Sequence, residues 1–281
     1  MRDADCVSFL QWCLPRLGLR WPGFRRVRKQ VCKRIARRVG DLRLEGPSAY
    51  RSYLLQHPQE WPLLDSLCAI TISRFYRDRA VFDGMRAEIL PALARHAAAN
   101  GVAELRCWSA GCSAGEEPYT LQIIWTLCVE PVLSLPVRLR IIATDIDDAL
   151  LDRAREGCYP PSSLRDLPPA LVERAFDRAD GLYSVRAAFR AGIEFTQQDI
   201  RKQVPPGPFH LILCRNLVLT YFEDALQRQV VERILARLLP AGFLVVGRNE
   251  SLPSGIADVH AYSQLPGIYQ KLTEADGAAR A

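Results

Sequence analysis

Apolar residues recur every four positions at Val27, Val31, Ile35 and Val39, a stripe that predicts a helix with one face against a core. On the same wheel Arg26, Lys29, Lys33 and Arg37 gather on another face, while Arg28 and Arg38 lean toward the stripe. Gly40 is placed to close this helix, and Ser48 to cap the next. Shorter helical patterns follow over residues 49–61 and 62–72. A longer one spans 78–101, ends at Asn100-Gly101 and carries Pro91 as a point of bending.

From residue 104 the period changes. Short apolar runs at 104–110, 137–147, 192–200, 209–216 and 243–251 read as strands, with a sixth at 267–272. Helical patterns at 117–130, 148–159 and 225–242 separate most of them. Such alternation predicts a doubly wound, mostly parallel α/β sheet covered on both faces. Residues 181–195 break the rhythm and read as a small antiparallel piece, part of an insertion over about 160–195. The expected organisation is a helical N-terminal domain over 1–78, a linking helix over 79–103 and an α/β domain over 104–281.

Composition narrows the class. Hydrophobic residues make up 49% and charged residues 24%, as in ordinary globular proteins. No run approaches 18 apolar residues, and residues 1–18 lack a basic start with a long apolar core, so a cytoplasmic protein is expected. Nine cysteines are scattered with no CxxC pair, which argues against a disulfide framework and for a reducing compartment. Four isolated histidines give no metal spacing, so no metal is expected. The net charge of +6 is concentrated: residues 24–43 hold nine Lys or Arg against Asp41, and the rest of the chain is slightly acidic.

Candidate chemistry begins at the turn Gly111-Cys-Ser-Ala-Gly115, between the first strand and its helix. In doubly wound folds ligands lie beyond the strands' carboxyl ends. A pyrophosphate seated there would meet Glu116 and Glu117, which occupy the helix start and oppose another anion. S-adenosylmethionine carries a sulfonium and an ammonium and no phosphate, so a carboxylate suits it. Asp145, at the end of the second strand, is placed to accept both ribose hydroxyls, although "TDID" also reads as a helix cap. Asp199, after the third strand, is placed to accept adenine's exocyclic amine. Cys107 and Cys112 read as buried small apolar residues. No Ser-His-Asp order, Cys-His pair or P-loop appears, which sets aside hydrolase and nucleoside-triphosphatase readings.

Four stretches, "ISRFYRD", "WSAGCSAGEEPYT", "ATDID" and "FHLILCRNLVLTYF", together resemble the CheR-type chemotaxis receptor methyltransferases. Members of that family esterify glutamates with S-adenosylmethionine. The likeness runs over about residues 25–272. It implies a class I methyltransferase-like sheet with a three-stranded antiparallel insertion and a helical N-terminal domain. It further implies that Thr71, Ser73, Arg77, Glu117, Asp145, Asp199, Ile200, Arg215 and Asn216 line the cofactor. Arg77, Arg215 and Tyr221 would be the catalytic set at the acceptor. Ser73 stands where the family usually has Thr, Thr71 where it often has Asn, and Asp199 where Asn is common. "CRNLVLTYF" has one residue more between Asn and Tyr than the usual spacing, which turns Tyr221 by about 100° on a helix.

A carboxylate acceptor is ionised at neutral pH and needs no general base. An arginine gripping one oxygen would aim the other, and Arg77 and Arg215 are the candidates. Ordinary ion pairing, for Arg77 with Asp78, is the alternative reading. The basic face of Arg26, Lys29, Lys33 and Arg37 suits an acidic protein substrate, such as a chemoreceptor cytoplasmic domain. RNA phosphates or a plain solvated face would also suit it, although the segment lacks interleaved aromatics beyond Phe24, which argues against nucleic acid. Two rival functions stand beside the first: a methyltransferase with another acceptor (RNA, another protein or a small molecule), and a cofactor binder without transfer. A monomer off the membrane is expected.

Overall fold

The computed structural model describes residues 2–262 and 265–273; the end of the expected α/β domain, 274–281, lies outside the described residues. The chain forms two compact units, Met1–Thr71 with Thr220–Gln227, and Ile72–Leu219 with Arg228–Ala281.

The first unit is helical: α1 Asp3–Cys13, α2 Trp21–Phe24, α3 Arg28–Asp41, α4 Pro47–Gln56 and α5 Trp61–Cys68. On α3 the stripe is the packed face, with Val31, Ile35 and Val39 buried. Arg28 and Arg38 lean inward because each has an acid to meet. Arg28 donates to Asp3 on α1, and Arg38 donates to both oxygens of Glu60 at 2.8 and 2.9 Å. Glu60 is only 6% exposed, and the Tyr50 hydroxyl donates to it as well. The Arg38 guanidinium holds this carboxyl below the usual range against the opposing effect of burial.

Two expectations fail in this unit. Cys6 and Cys32 form a disulfide joining α1 to α3, with Cα atoms 5.9 Å apart. A separation of 26 residues carries no sequence signature, and only the packing of the two helices brings the thiols together. Ser48 does not cap α4. The helix starts at Pro47, whose missing N–H suits the first helical position, after Gly46 at φ 147°.

Residues Thr220–Gln227 pack with these helices. The Arg20 N–H donates to Tyr221 O at 2.8 Å and the Glu223 N–H to Gly18 O at 2.9 Å. Thr220 O lies 2.2 Å from where a Cβ on residue 23 would sit, so only glycine permits this approach.

The second unit is built on seven strands in one sheet: β1 Glu104–Ala110, β2 Arg138–Asp145, β6 Ile193–Gln197, β7 Phe209–Leu213, β8 Leu238–Val245, β9 Val259–Ala261 and β10 Ile268–Lys271. Their order is β6-β2-β1-β7-β8-β10-β9. The first five-strand block, β6 to β8, is parallel, and β10 runs antiparallel to β8 and β9. The strand order reverses at β1, which pairs with β2 on one side and β7 on the other. This is the doubly wound fold, and the reversal places a crevice beyond the end of β1. A small antiparallel sheet, β3 Cys158–Tyr159, β5 Leu182–Val185 and β4 Phe176–Ala179, is inserted between β2 and β6. Its hairpin turns at Asp180-Gly181, both at positive φ as a two-residue turn of this kind requires.

The long helical pattern after residue 78 is α6 Arg79–Gly84, a π turn Met85–Ile89 and α7 Leu90–Ala99. Pro91 has no N–H to complete the regular ladder, and the wider turn just before it absorbs the mismatch. Helix α8, Glu116–Ile124, packs on β2 and β6, and α9, Asp148–Glu156, on the same pair. Trp108 of β1 is fully buried, and its indole N–H is satisfied by Thr144 of β2 at 2.9 Å.

Candidate functional site

The turn after β1 closes on the end of β2: the N–H groups of Gly111 and Cys112 both donate to Thr144 O, at 2.8 and 3.0 Å. Gly111 and Gly115 take φ of 75° and 90°. A Cβ would meet Leu217 at 2.6 Å in the first case and Ala154 at 2.8 Å in the second. Both glycines are therefore demanded by the chain's own conformation and packing.

Asp145 sits at the end of β2 and bridges two loops. One oxygen accepts the Ser113 N–H at 2.8 Å, and the other accepts the Asp147 N–H at 3.1 Å. Burial pushes this carboxyl up, and backbone hydrogen bonds from Asp147, Ser113 and Ile146 work against that. A carboxylate has about four acceptor positions, so capacity remains for a further donor. That is the chemistry of a ribose cis-diol, and the residues present fit the group on this point. Capping falls to Asp147, whose side chain accepts from the N–H groups of Ala149 and Leu150 at the start of α9.

The paired glutamates have different fates, which corrects the reading of two like charges facing a ligand. Glu116 is 4% exposed, burial pushes its carboxyl up against the ionised form, and its Oε2 has no partner. Ser73 supplies a side-chain hydrogen bond that counters part of this rise. Glu117 is instead partnered on both oxygens. One oxygen accepts the Ser109 hydroxyl at 2.7 Å, and the other accepts Arg215 Nη1 at 3.0 Å.

Arg215 follows β7 with its side chain 3% exposed. Besides Glu117 it donates to Asp78 Oδ2 at 2.9 Å and to Arg77 O at 2.8 Å, and it lies over the Phe82 ring at 4.9 Å. Arg77 differs sharply. Its guanidinium donates to Ile72 O at 2.6 Å and to Asn216 Oδ1 at 3.1 Å, both neutral oxygens. Asp78 pairs with Arg215, so the alternative partner for Arg77 is committed elsewhere, and Arg77 has no ion pair among the described residues.

Asp199 lies two residues past β6 and is clamped by its neighbour: Arg201 donates through N and Nε to one oxygen and through Nη2 to the other. Ile200 beside it is 7% exposed. Cys107 and Cys112 are buried, and burial pushes both thiols up, so neither is a nucleophile.

The remaining sequence candidates belong with the helical unit. Thr71 is exposed at its end. Tyr221 ends the one-turn helix Val218–Tyr221, and its ring meets Phe24 edge-on with centroids 5.2 Å apart. Arg26, Lys29, Lys33 and Arg37 are exposed along α2–α3 and form no salt bridge among the described residues.

The structure thus joins Arg77 to Asn216 and Glu117 to Arg215. It adds Ser109 and Arg201, which sequence reasoning did not single out. Asp78, expected as an alternative partner of Arg77, pairs with Arg215 instead and stands at φ 63°, a left-handed position that Asp tolerates better than most residues. Among the described residues no group of His, Cys, Asp and Glu is arranged to hold a metal, and no helix is long and apolar enough to cross a membrane.

The family model described as CheR methyltransferase, SAM binding domain matches residues 71–266. Chemotaxis protein methyltransferase 2 of Vibrio cholerae serotype O1 is 29% identical over 276 residues, 95% of this chain and 93% of that protein. The chemotaxis protein methyltransferase of Salmonella typhimurium is 34% identical over 259 residues, 89% of this chain and 85% of the relative. That of Escherichia coli K12 is 32% identical over 232 residues, 80% and 77%.

Proposed function

We propose, for a chain that belongs to the CheR family of S-adenosylmethionine-dependent methyltransferases, that the acceptor is a glutamate side chain of an acidic protein. A chemoreceptor cytoplasmic domain is the partner class that the relatives' chemotaxis names suggest. One observation carries the acceptor reading: among the described residues Arg77 meets only neutral oxygens, so its charge is available to an incoming carboxylate.

Bound S-adenosylmethionine supplies a methyl group already activated by its sulfonium. The protein's task is then to position reactants and exclude water, which lowers barriers by several kcal/mol. Arg77 grips one oxygen of the ionised acceptor and leaves the other to react. Arg215, already balanced by Asp78 and Glu117, keeps Glu117 oriented toward the cofactor's cationic end. Asp145 takes the ribose diol; Asp199 and Ile200 border the adenine, with Ser73 and Asn216 completing the lining. Arg26, Lys29, Lys33 and Arg37 dock the acidic protein.

Asp145→Ala should weaken S-adenosylhomocysteine binding by about 1.5–3 kcal/mol, the worth of hydrogen bonds to a charged group. Titration calorimetry reads it, and unchanged affinity removes the ribose assignment.

The acceptor class is tested with tritiated methyl groups and an acidic receptor fragment. A glutamyl ester releases its label as methanol in base; base-stable label, or label on RNA alone, rejects the proposal. Reversing Lys29, Lys33 and Arg37 together to Glu should raise the KM for that fragment at least tenfold at low salt, with S-adenosylhomocysteine affinity unchanged. An unaltered KM would leave the basic face as plain solvated surface.

A further inference from the structure

We propose that Glu250 is the positioning residue that fixes Arg215 and Asn216 in their working orientation. This rests on the reading that Arg77, Arg215 and Asn216 belong to the transfer site.

Asn216 lies at φ 53°, a left-handed conformation that asparagine tolerates better than most non-glycine residues and that a backbone hydrogen bond can hold in place. The holding group is a single carboxylate oxygen. Glu250 Oε2 accepts the Asn216 N–H at 2.8 Å and the Gly247 N–H at 2.6 Å. The Glu250 N–H returns to Gly247 O at 2.8 Å, so the chain after β8 is folded into a turn that presents this carboxylate. Gly247 is part of the device. A Cβ there would lie 2.7 Å from Glu250 Oε2 and 3.0 Å from Asn216 Nδ2.

The consequence falls on the two side chains in opposite directions. From residue 215 the guanidinium reaches Asp78 and Glu117, and from residue 216 the amide oxygen receives Arg77. One peptide unit therefore decides both contacts, and Glu250 holds that unit from the far side. Misplacing a reacting group by about 1 Å costs on the order of 10²-fold in rate. Glu250 touches neither reactant in this scheme and acts through the backbone.

The experiment compares kcat, KM for the receptor fragment and S-adenosylhomocysteine affinity in E250A, E250Q, G247A and the double variant. E250A and G247A should each lower kcat about 10²-fold, with S-adenosylhomocysteine affinity falling by a clearly smaller factor, since Asn216 and the Arg215–Glu117 pair also face the cofactor. The double variant should lose little beyond E250A, because the 2.7 Å clash with the carboxylate is gone and only the 3.0 Å approach to Asn216 Nδ2 remains. E250Q keeps an acceptor oxygen and should recover at least tenfold over E250A. The proposal is overturned if E250A keeps kcat within threefold, if the two losses multiply, or if affinity falls in step with kcat. If E250A does not fold, E250Q and G247A decide by the same criteria. Failure of the proposed function looks different: the wild type itself then leaves no base-labile label.

Discussion

Arg215→Met is expected to destabilise the protein by about 3 kcal/mol, the low end of the cost of breaking a buried charge network from one side. The guanidinium is 3% exposed and faces Glu117 at 14% and Asp78 at 30%. Methionine fills much of the volume over Phe82 and leaves both carboxylates without their cation. Water reaches Asp78 more readily than Glu117, so the low end of the range applies. Adding Glu117→Gln should restore part of the loss, since the more buried unpaired charge is then gone. Urea unfolding of the single and double variants reads both effects. A loss below about 1 kcal/mol for Arg215→Met would show that solvent already screens the network. Lysine is no substitute here, because a single ammonium cannot reach both acids and the Arg77 carbonyl in the fork geometry that guanidinium offers.

The sheet is readable where apolar runs are short and bounded by turn residues. Residues 104–110 form β1 as expected, because alternation with Glu104 and Arg106 ends in a dense apolar run before Gly111. The expected helix over 225–242 stops instead at Leu235, and β8 begins at Leu238. The apolar spacing misleads there: Ile234, Leu235, Leu238 and Leu239 keep helical intervals by coincidence. A register shift opposite β7 and Ala241 at φ 59° accommodate Pro240 within the strand. Strand β9 escapes a sequence reading because three residues carry too little pattern to mark a strand.

The site is legible in part. Carboxylates after strand ends can be read from spacing, which is how Asp145 and Glu117 stand out. What spacing cannot give is the state of each charge. Glu116 and Glu117 are adjacent in sequence, yet one is buried with an unpartnered oxygen and the other is ion-paired. Arg77 and Arg215 look equivalent in the sequence, and only long-range pairing separates them: Arg215 meets residues 98 and 137 positions away. The same limit hides Cys6–Cys32, whose thiols stand 26 residues apart.

That difference between the two arginines makes Arg77→Ala the complementary experiment. Folding should be nearly untouched, because among the described residues Arg77 forms only two side-chain hydrogen bonds, both to neutral oxygens, and is partly exposed. Turnover should fall by about 10²–10³, as when a preorganised donor to a reacting oxygen is removed. Unfolding midpoints therefore separate it from Arg215→Met, which is expected to lose stability and activity together. S-adenosylhomocysteine carries a carboxylate of its own, so its affinity divides the two ways in which Arg77 can act. Transfer lost with affinity intact assigns the guanidinium to the acceptor glutamate. Loss of both in proportion assigns it to the cofactor's carboxylate. Survival of both in Arg77→Ala would leave the uncompensated charge beside Asn216 without a part in the reaction, and the acceptor model would fall with it.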